Sequence, residues 1–356
     1  MDIFNLAVAG AGLIGRRHIE LIAANPNTHL SAVVDPTPAS IALAAGLNVP
    51  HFNSLDELFA QQGTLKINGV ILATPNHLHV SGALTCAQHG VPALIEKPVA
   101  DTLASGRQLM NALANCKVPM LVGQHRRHSS TLQAARQAIS SGQLGRVVTV
   151  MGSAQFYKPD SYFAQGPWRS QPGGGPILIN LIHEMDNLRF LCGEVESVHA
   201  TASNALRQFA VEDTAVMTLK FACGTLGTFT LSDTVAAPRS WEQTAGENTA
   251  YPRSPTEDCY FIAGTNGSLA VPTMRTWRYA DGAEPGWWTP FVEGQLPVNA
   301  IDPMAAQLDH FCDLMAGKAR PIVTVADALQ SLLTVEAVRL SIASGNTVFL
   351  KDMTIH

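Results

Sequence analysis

The groups in this chain that can do chemistry sit at the ends of short apolar runs. Leu6-Ala7-Val8-Ala9 leads into Gly10-Ala11-Gly12-Leu13-Ile14-Gly15, a G-x-G-x-x-G turn where a strand gives way to a helix. In such a turn Gly10 permits the tight reversal and Gly12 lets backbone approach a pyrophosphate. Gly15 lets helix pack closely on strand, and the anion is held at the helix N-terminus beside Leu13 and Ile14. A second apolar run ends in Asp35, and 35 − 15 = 20 residues after the third glycine is where an acid meets the adenosine ribose hydroxyls. A carboxylate there repels a 2′-phosphate, and Pro36, Thr37 and Pro38 supply no guanidinium to hold one. The pattern therefore favours NAD over NADP, with Arg16 and Arg17 the cations within reach of such a phosphate. The competing reading is a glycine-rich turn in an α/β protein that binds no dinucleotide.

Two further run ends carry Thr74-Pro75-Asn76-His77-Leu78-His79 and Glu96-Lys97-Pro98. Ligands of open α/β sheets bind outside the carboxyl ends of the strands, so Lys97 emerges where a nicotinamide ring belongs. Partial desolvation lowers an ammonium pKa towards working pH, which suits proton exchange with an alcohol. The alternative is a surface lysine behind a buried strand. After Gly173-Gly174-Gly175, Pro176 suits a first helical position, and Ile177, Leu178, Leu181, Ile182, Met185, Leu188 and Leu191 supply an apolar face. Ile179, Asn180, His183 and Asn187 share another stripe, which makes His183 a candidate site residue or a core histidine bonded to a carbonyl. His125 follows the sixth apolar run and can line the same cleft. Arg126-Arg127 reads as a guanidinium fork for an anionic substrate, or as one arginine on protein acids and the other in solvent. His77, His79 and His128 come with no HExxH and no matched carboxylates, so no metal site is expected. Trp287-Trp288, in a loop-like stretch, reads as a lid, a subunit contact or core.

Holding these groups requires a substantial fold, and 356 residues with 46% hydrophobic and 14% charged side chains exclude intrinsic disorder. Length predicts about two domains. The first third alternates apolar strands (Leu6–Ala9, Leu30–Val34, Val70–Ala73, Ala93–Ile95, Met120–Val122) with helical stretches, including a capping-box spacing at Ser54-Leu55-Asp56-Glu57. That alternation predicts a doubly wound parallel sheet covered on both faces. Beyond a helix over Ser129–Gly142 the pattern changes to consecutive strands at Arg146–Tyr157, Val198–Asn204, Thr214–Phe221, Thr225–Leu231, Tyr260–Ala263 and Ser268–Val271. These predict an α+β domain on a large, mostly antiparallel (mixed) open sheet, interrupted by the helix over Pro176–Leu191. Pro238–Pro255 reads as a long surface loop, and Met304–Met315 and Val325–Ala343 as closing helices able to return to the first domain. The reading is a dinucleotide domain over 1–123 and a substrate and oligomerisation domain over 124–356.

A formal charge of −5 leaves no basic stripe for nucleic acid. Six widely spaced cysteines with no CxxC pair read as buried, reduced thiols. Asp2 before and Arg16-Arg17 after the first apolar run reverse the charge order of a secretory signal, and no run approaches the ~20 residues that span a bilayer. The expectation is a soluble cytoplasmic protein with a small-molecule substrate and no membrane partner.

Taken together, the Gly10–Gly15 turn with His18, Thr74–His79, Glu96-Lys97-Pro98, Val122-Gly123 followed by Arg126-Arg127, Trp168-Arg169, Gly173-Gly174-Gly175, His183 with Asp186, and Gly264–Gly267 resemble the glucose–fructose oxidoreductase and inositol dehydrogenase family (Gfo/Idh/MocA). The resemblance spans nearly the whole chain and is specific for family, not for substrate. It implies a Rossmann domain, a mixed-sheet domain whose open face pairs subunits into homo-dimers or homo-tetramers, and a cis peptide before Pro98. It also implies Lys97 acting in hydride transfer to or from a sugar, cyclitol or related hydroxy compound, with Gly10, Gly12, Leu13, Ile14, Gly15, Asp35, Thr74, Pro75, Asn76, His79, Glu96, Lys97, Trp168 and Arg169 around NAD. Many relatives carry an aspartate four residues before the histidine, where this chain has Ile179 and then Asn180. An amide cannot transfer protons at neutral pH, so Asn180 is assigned to orienting substrate alongside His125 and Arg126, and Lys97 and His183 to proton handling. The leading reading is an NAD-dependent dehydrogenase. The alternatives are a tightly NAD-bound enzyme that cleaves or rearranges glycosides through transient oxidation, and a non-catalytic dinucleotide-binding regulator.

Overall fold

The computed structural model describes residues 3–353, which divide into two compact units. The first holds residues 3–125 and Pro303–Leu332, and the second Arg126–Asp302 and 333–353. The chain boundary expected at 123/124 thus lies at 125/126, and the segment 124–356 does not stay together. Its physical reason is apolar packing: Leu308, Phe311 and Leu314 of the helix Pro303–Met315 join one core with Leu6, Val8 and Leu121.

In the first unit, β1 (Phe4–Ala9), β2 (Thr28–Val34), β3 (His51–Phe52), β4 (Gly69–Leu72), β5 (Ala93–Glu96) and β6 (Met120–Gly123) form one sheet in the order β3-β2-β1-β4-β5-β6, with every pairing parallel. This is the order of a dinucleotide-binding Rossmann sheet, which brings the ends of β1 and β4 together where the strand order reverses. Strands β4, β5 and β6 are buried at every position. Alternate residues explain why: Val70, Leu72, Ile95 and Val122 pack into one core and Ile71, Leu94 and Leu121 into the other.

The second unit is built on a mixed sheet. Its strands are β7 (Val147–Tyr157), β8 (Val195–Ser203), β9 (Thr214–Phe221), β10 (Leu226–Ser232), β11 (Thr234–Arg239), β12 (Tyr260–Gly264), β13 (Gly267–Val271), β14 (Arg275–Arg278), β15 (Val292–Gln295) and β16 (Val348–Phe349). The order is β15-β14-β13-β12-β7-β10-β9-β8-β16, with β11 also on β7. All pairings are antiparallel except β7 with β10. Strand β9 alternates buried and solvent-facing positions, so one face buries Met217 and Leu219 while the other presents Val216.

Three local expectations need correction. Pro238–Pro255 is not all surface loop: Ser240 caps the helix Trp241–Ala245 and Trp241 is buried, its indole N–H donating to Glu247 at 2.7 Å. The helix expected from Pro176 is π-helical over Ile177–Leu181 and α-helical only over Ile182–Cys192, which widens the turn carrying Asn180. Of the six free cysteines, Cys223 is exposed and Cys116 half-buried. Trp287 and Trp288 are 93% and 90% exposed, which removes core from their possible roles. No helix among the described residues is long and apolar enough to cross a membrane.

Candidate active site

In the first unit, the glycine turn has the tight geometry its sequence demands. Gly10 adopts φ +92°, and a Cβ there would lie 2.3 Å from the carbonyl oxygen of Ala73. One on Gly15 would lie 1.8 Å from the carbonyl oxygen of Gly10, so neither position accepts a side chain. A Cβ on Gly12 would meet nothing within 4 Å, which leaves open space over the start of the helix Leu13–Ala24. That is the cradle a pyrophosphate requires. Leu13 and Ile14 expose apolar side chains beside it.

Asp35 is fixed at this turn. Its Oδ2 accepts from the Ala11 N–H at 2.8 Å, and its Oδ1 accepts from the Thr37 N–H at 2.8 Å and from the Thr37 hydroxyl. Burial alone would raise the carboxyl pKa, but these donors bring it below the ordinary value, so Asp35 stands as a carboxylate. Arg16 donates through Nε to the Ala11 carbonyl at 3.1 Å, and Arg17 pairs with Glu20 at 3.0 Å. The residues present fit the NAD cradle read from the sequence, and the Thr74 hydroxyl at the end of β4 is a buried polar atom with no hydrogen-bond partner among the described residues.

Beneath Lys97 lies a buried pair. His18 Nε2 is 2.8 Å from Glu96 Oε1, and the Lys97 N–H donates to Glu96 Oε2 at 3.2 Å. Burial pushes the Glu96 carboxyl up, but the His18 bond and the nearby charges of His18, Lys97 and His125 hold it below its ordinary range. Lys97 is half-buried at the end of β5, and the Lys97–Pro98 peptide is cis. Pro75 and Asn76 form an exposed turn after β4. His79 departs from its expected cofactor role: it is 1% exposed, with ring nitrogens 2.8 Å from the carbonyls of Thr74 and Pro98. It ties together the backbone after β4 and β5.

In the second unit, Arg126 and Arg127 are both buried on protein acids, so neither faces solvent. Arg127 forks onto Asp186 at 2.7 and 2.8 Å. Arg126 bonds Glu184 at 2.6 Å and also Glu242, and Tyr260 donates to Glu184. Burial opposes the Arg126 charge, but Glu242 and Glu184 hold it firmly protonated. With its guanidinium committed to these carboxylates, Arg126 is no open anion fork. Asn187 is fully buried and donates to the Tyr260 hydroxyl at 2.9 Å, whereas Asn180 and Ile179 are only half-buried. The wide turn separates residues that a regular 3.6 spacing had aligned. His183 is buried in the first turn of the helix Ile182–Cys192.

Lys158, at the end of β7, escaped sequence reading. It is buried and donates through Nζ to Asn180 Oδ1 at 2.7 Å, with Asp233 Oδ2 at 3.7 Å. Burial drives its pKa from 10.5 down to about 8, Asp233 opposing and Arg207 and Arg169 assisting. The Arg169 guanidinium lies 3.9 Å from the centre of the Tyr162 ring, and Trp168 is exposed. A lysine directly after a strand that pairs in mid-sheet was the available signal.

A family model described as an oxidoreductase family with an NAD-binding Rossmann fold matches residues 4–124, and the GFO/IDH/MocA C-terminal domain model matches residues 132–270. The chain belongs to the Gfo/Idh/MocA oxidoreductase family. Similar members include a 1,5-anhydro-D-fructose reductase of Ensifer adhaerens, 27% identical over 82% of this chain and 81% of that one. An inositol 2-dehydrogenase of Rhizobium meliloti is 24% identical over 95% of this chain and 97% of its own. A solved oxidoreductase from Agrobacterium radiobacter in complex with NAD+, L-tartaric acid and magnesium superposes with a TM-score of 0.82, covering 99% of both chains at 20% identity, a likeness of fold. As a Gfo/Idh/MocA member the chain is an NAD-binding oxidoreductase.

Proposed function

We propose that this chain is an NAD-dependent dehydrogenase acting on a hydroxyl-bearing carbon of a sugar, cyclitol or related hydroxy acid, with Lys97 and His183 handling the proton. The observation that carries the reading is Lys97 at the carboxyl end of β5, its backbone held by a carboxylate that His18 in turn holds. Bound NAD would supply a hydride acceptor for the carbinol hydrogen. Lys97 Nζ would take the hydroxyl proton as the carbonyl forms, and His183 would serve as second proton carrier, a role that rests on the family motif. The Gly10–Gly15 turn, Asp35 and Thr74 would hold the dinucleotide. Asp35 supports NAD over NADP because a fixed carboxylate repels a 2′-phosphate, while Arg16 and Arg17 are engaged elsewhere.

The relatives' names support the substrate class: a reductase of an anhydro sugar and an inositol dehydrogenase both act on polyhydroxylated carbon frames. A second copy of the chain is the proposed occupant of the open sheet face. Its exposed Met151, Val216 and Leu226 share that face by register and are apolar residues of the kind that pairs subunits. The test is incubation with NAD and a panel of cyclic polyols, sugars and hydroxy acids, following nicotinamide reduction. NADH formation with a member of the panel supports the reading, and product without net NADH would favour the glycoside-rearranging alternative.

A further inference from the structure

The Lys158 cluster in the second unit has no part in the reaction as read so far, yet a buried ammonium needs a reason to be there. An ammonium has only donors, so the oxygen of the Asn180 amide must face Lys158, and the amide is thereby oriented with Nδ2 as a donor. The position of the relatives' aspartate is Ile179 here, and the next residue, Asn180, sets a donor beside a cation. The carboxylate facing the ammonium is Asp233, but its Oδ1 takes Arg207 Nε at 2.8 Å and its Oδ2 stays 3.7 Å from Lys158 Nζ. Arg169 adds a third cation, 3.9 Å from the centre of the Tyr162 ring that Lys158 Nζ approaches at 5.0 Å, and it donates through Nη1 to the Tyr162 carbonyl. Its Nε is buried and makes no hydrogen bond among the described residues. Three cations and an oriented amide donor share the one buried Asp233 carboxylate, and the chemistry that completes such a set is an anion with planar oxygens.

We propose that Lys158, Asn180 and Arg169 form a carboxylate subsite, which makes the substrate a hydroxy acid, such as a sugar acid, rather than a neutral polyol. The subsite deepens the dehydrogenase reading and rests on it for its place in the reaction. Asn180 lies one turn before His183, so a carboxylate held there belongs to the same molecule whose hydroxyl His183 serves. Lys158 and Asn180 act as binding and specificity residues, and the proton remains with Lys97 and His183.

The test is calorimetric titration of the full chain, saturated with NADH, with D-glucuronate and with D-glucose, which differ in one carboxylate. Glucuronate is expected to bind at least ~10-fold more tightly. Lys158→Met should weaken glucuronate ~10- to 100-fold, the range of a lost charge-assisted bond, and lower the preference over glucose accordingly. Asn180→Asp, which puts a competing carboxylate against Lys158, should abolish the preference even where Lys158→Met perturbs folding. Equal binding of the two sugars, or a preference that survives both substitutions, overturns the subsite. NADH formation is followed separately on the same pair. Turnover of glucose with no preference for the acid would sink the subsite and keep the dehydrogenase, whereas tight acid binding with no reducible pair in the whole panel would do the reverse.

Discussion

Substituting Glu96 by glutamine tests whether the pair under Lys97 is an ion pair or a neutral contact. The side chain keeps its volume, so no cavity opens and packing is spared. It loses the negative charge that faces His18 at 2.8 Å and accepts the Lys97 N–H at 3.2 Å, both in a buried setting. A hydrogen bond to a charged group contributes about 1.5–3 kcal/mol, and breaking a buried pair from one side costs about 3–5 kcal/mol. Because glutamine retains one acceptor, the lower range applies at pH 7. At roughly 2–4 °C per kcal/mol for a body of this size, the melting temperature should fall by about 3–12 °C. The sign with pH follows from the native carboxyl lying below its ordinary 4.5. Its stabilisation is fully present above that value and is lost as pH falls through the native pKa, so parent and Glu96→Gln should converge in acid. Scanning calorimetry from pH 7 to about 3 measures the gap. Equal melting at pH 7, or a gap that persists undiminished at the acid end, would refute the ion-pair account.

Asp35→Ala should weaken NAD binding and relax discrimination against NADP, since the ribose acceptor and the like-charge penalty leave together; fluorescence titration with both reduced cofactors reads this, and unchanged affinities would remove Asp35 from the ribose. Lys158→Met should leave the melting temperature at pH 7 unchanged or raise it. A native pKa of about 8 against 10.5 means that the charged lysine costs stability, about 3 kcal/mol, below pH 8, and that this cost disappears as pH rises towards 10.5. A fall of several degrees at pH 7 would make Lys158 a structural residue. Val216→Glu together with Met151→Lys should convert the proposed subunit pair to monomer by light scattering, and a parent that is itself monomeric, or an unchanged mass, would remove the subunit contact from this sheet face.

The dinucleotide half was legible because its chemistry is local. Gly15 is demanded by its approach to Gly10 within one turn and Gly10 by its positive φ, Gly12 keeps the space over the helix start open, and Asp35 is placed by a fixed distance along one βαβ unit. What escaped depends on groups distant in sequence. Lys158 meets Asn180 only because β7 ends beside a π-helical turn, and no apolar period announces a widened turn. Arg126 reads as a free fork until Glu184 and Glu242 are brought around it, and His79 as a ligand until the Thr74 and Pro98 carbonyls close on its ring. The parallel pairing of β7 with β10 is invisible in strands whose alternation looks the same in either direction. The return of Pro303–Met315 to the first core was expected of the closing helices, whereas the division of the last helix between the units was not.

The central claim is that Lys97 handles a proton in hydride transfer, and Lys97→Met tests it most directly. Methionine keeps most of the side-chain length and deletes the ammonium, so Glu96, His18 and the glycine turn should hold their places and NADH affinity should match the parent. Turnover on a verified substrate should fall ~10²- to 10⁴-fold, the usual contribution of a positioned acid or base, or roughly 3–5 kcal/mol of transition-state stabilisation. The measurement is kcat of Lys97→Met beside its NADH dissociation constant. A large loss of kcat at unchanged NADH affinity is the predicted result; near-parental kcat would contradict the account and pass the proton to His183 or His125.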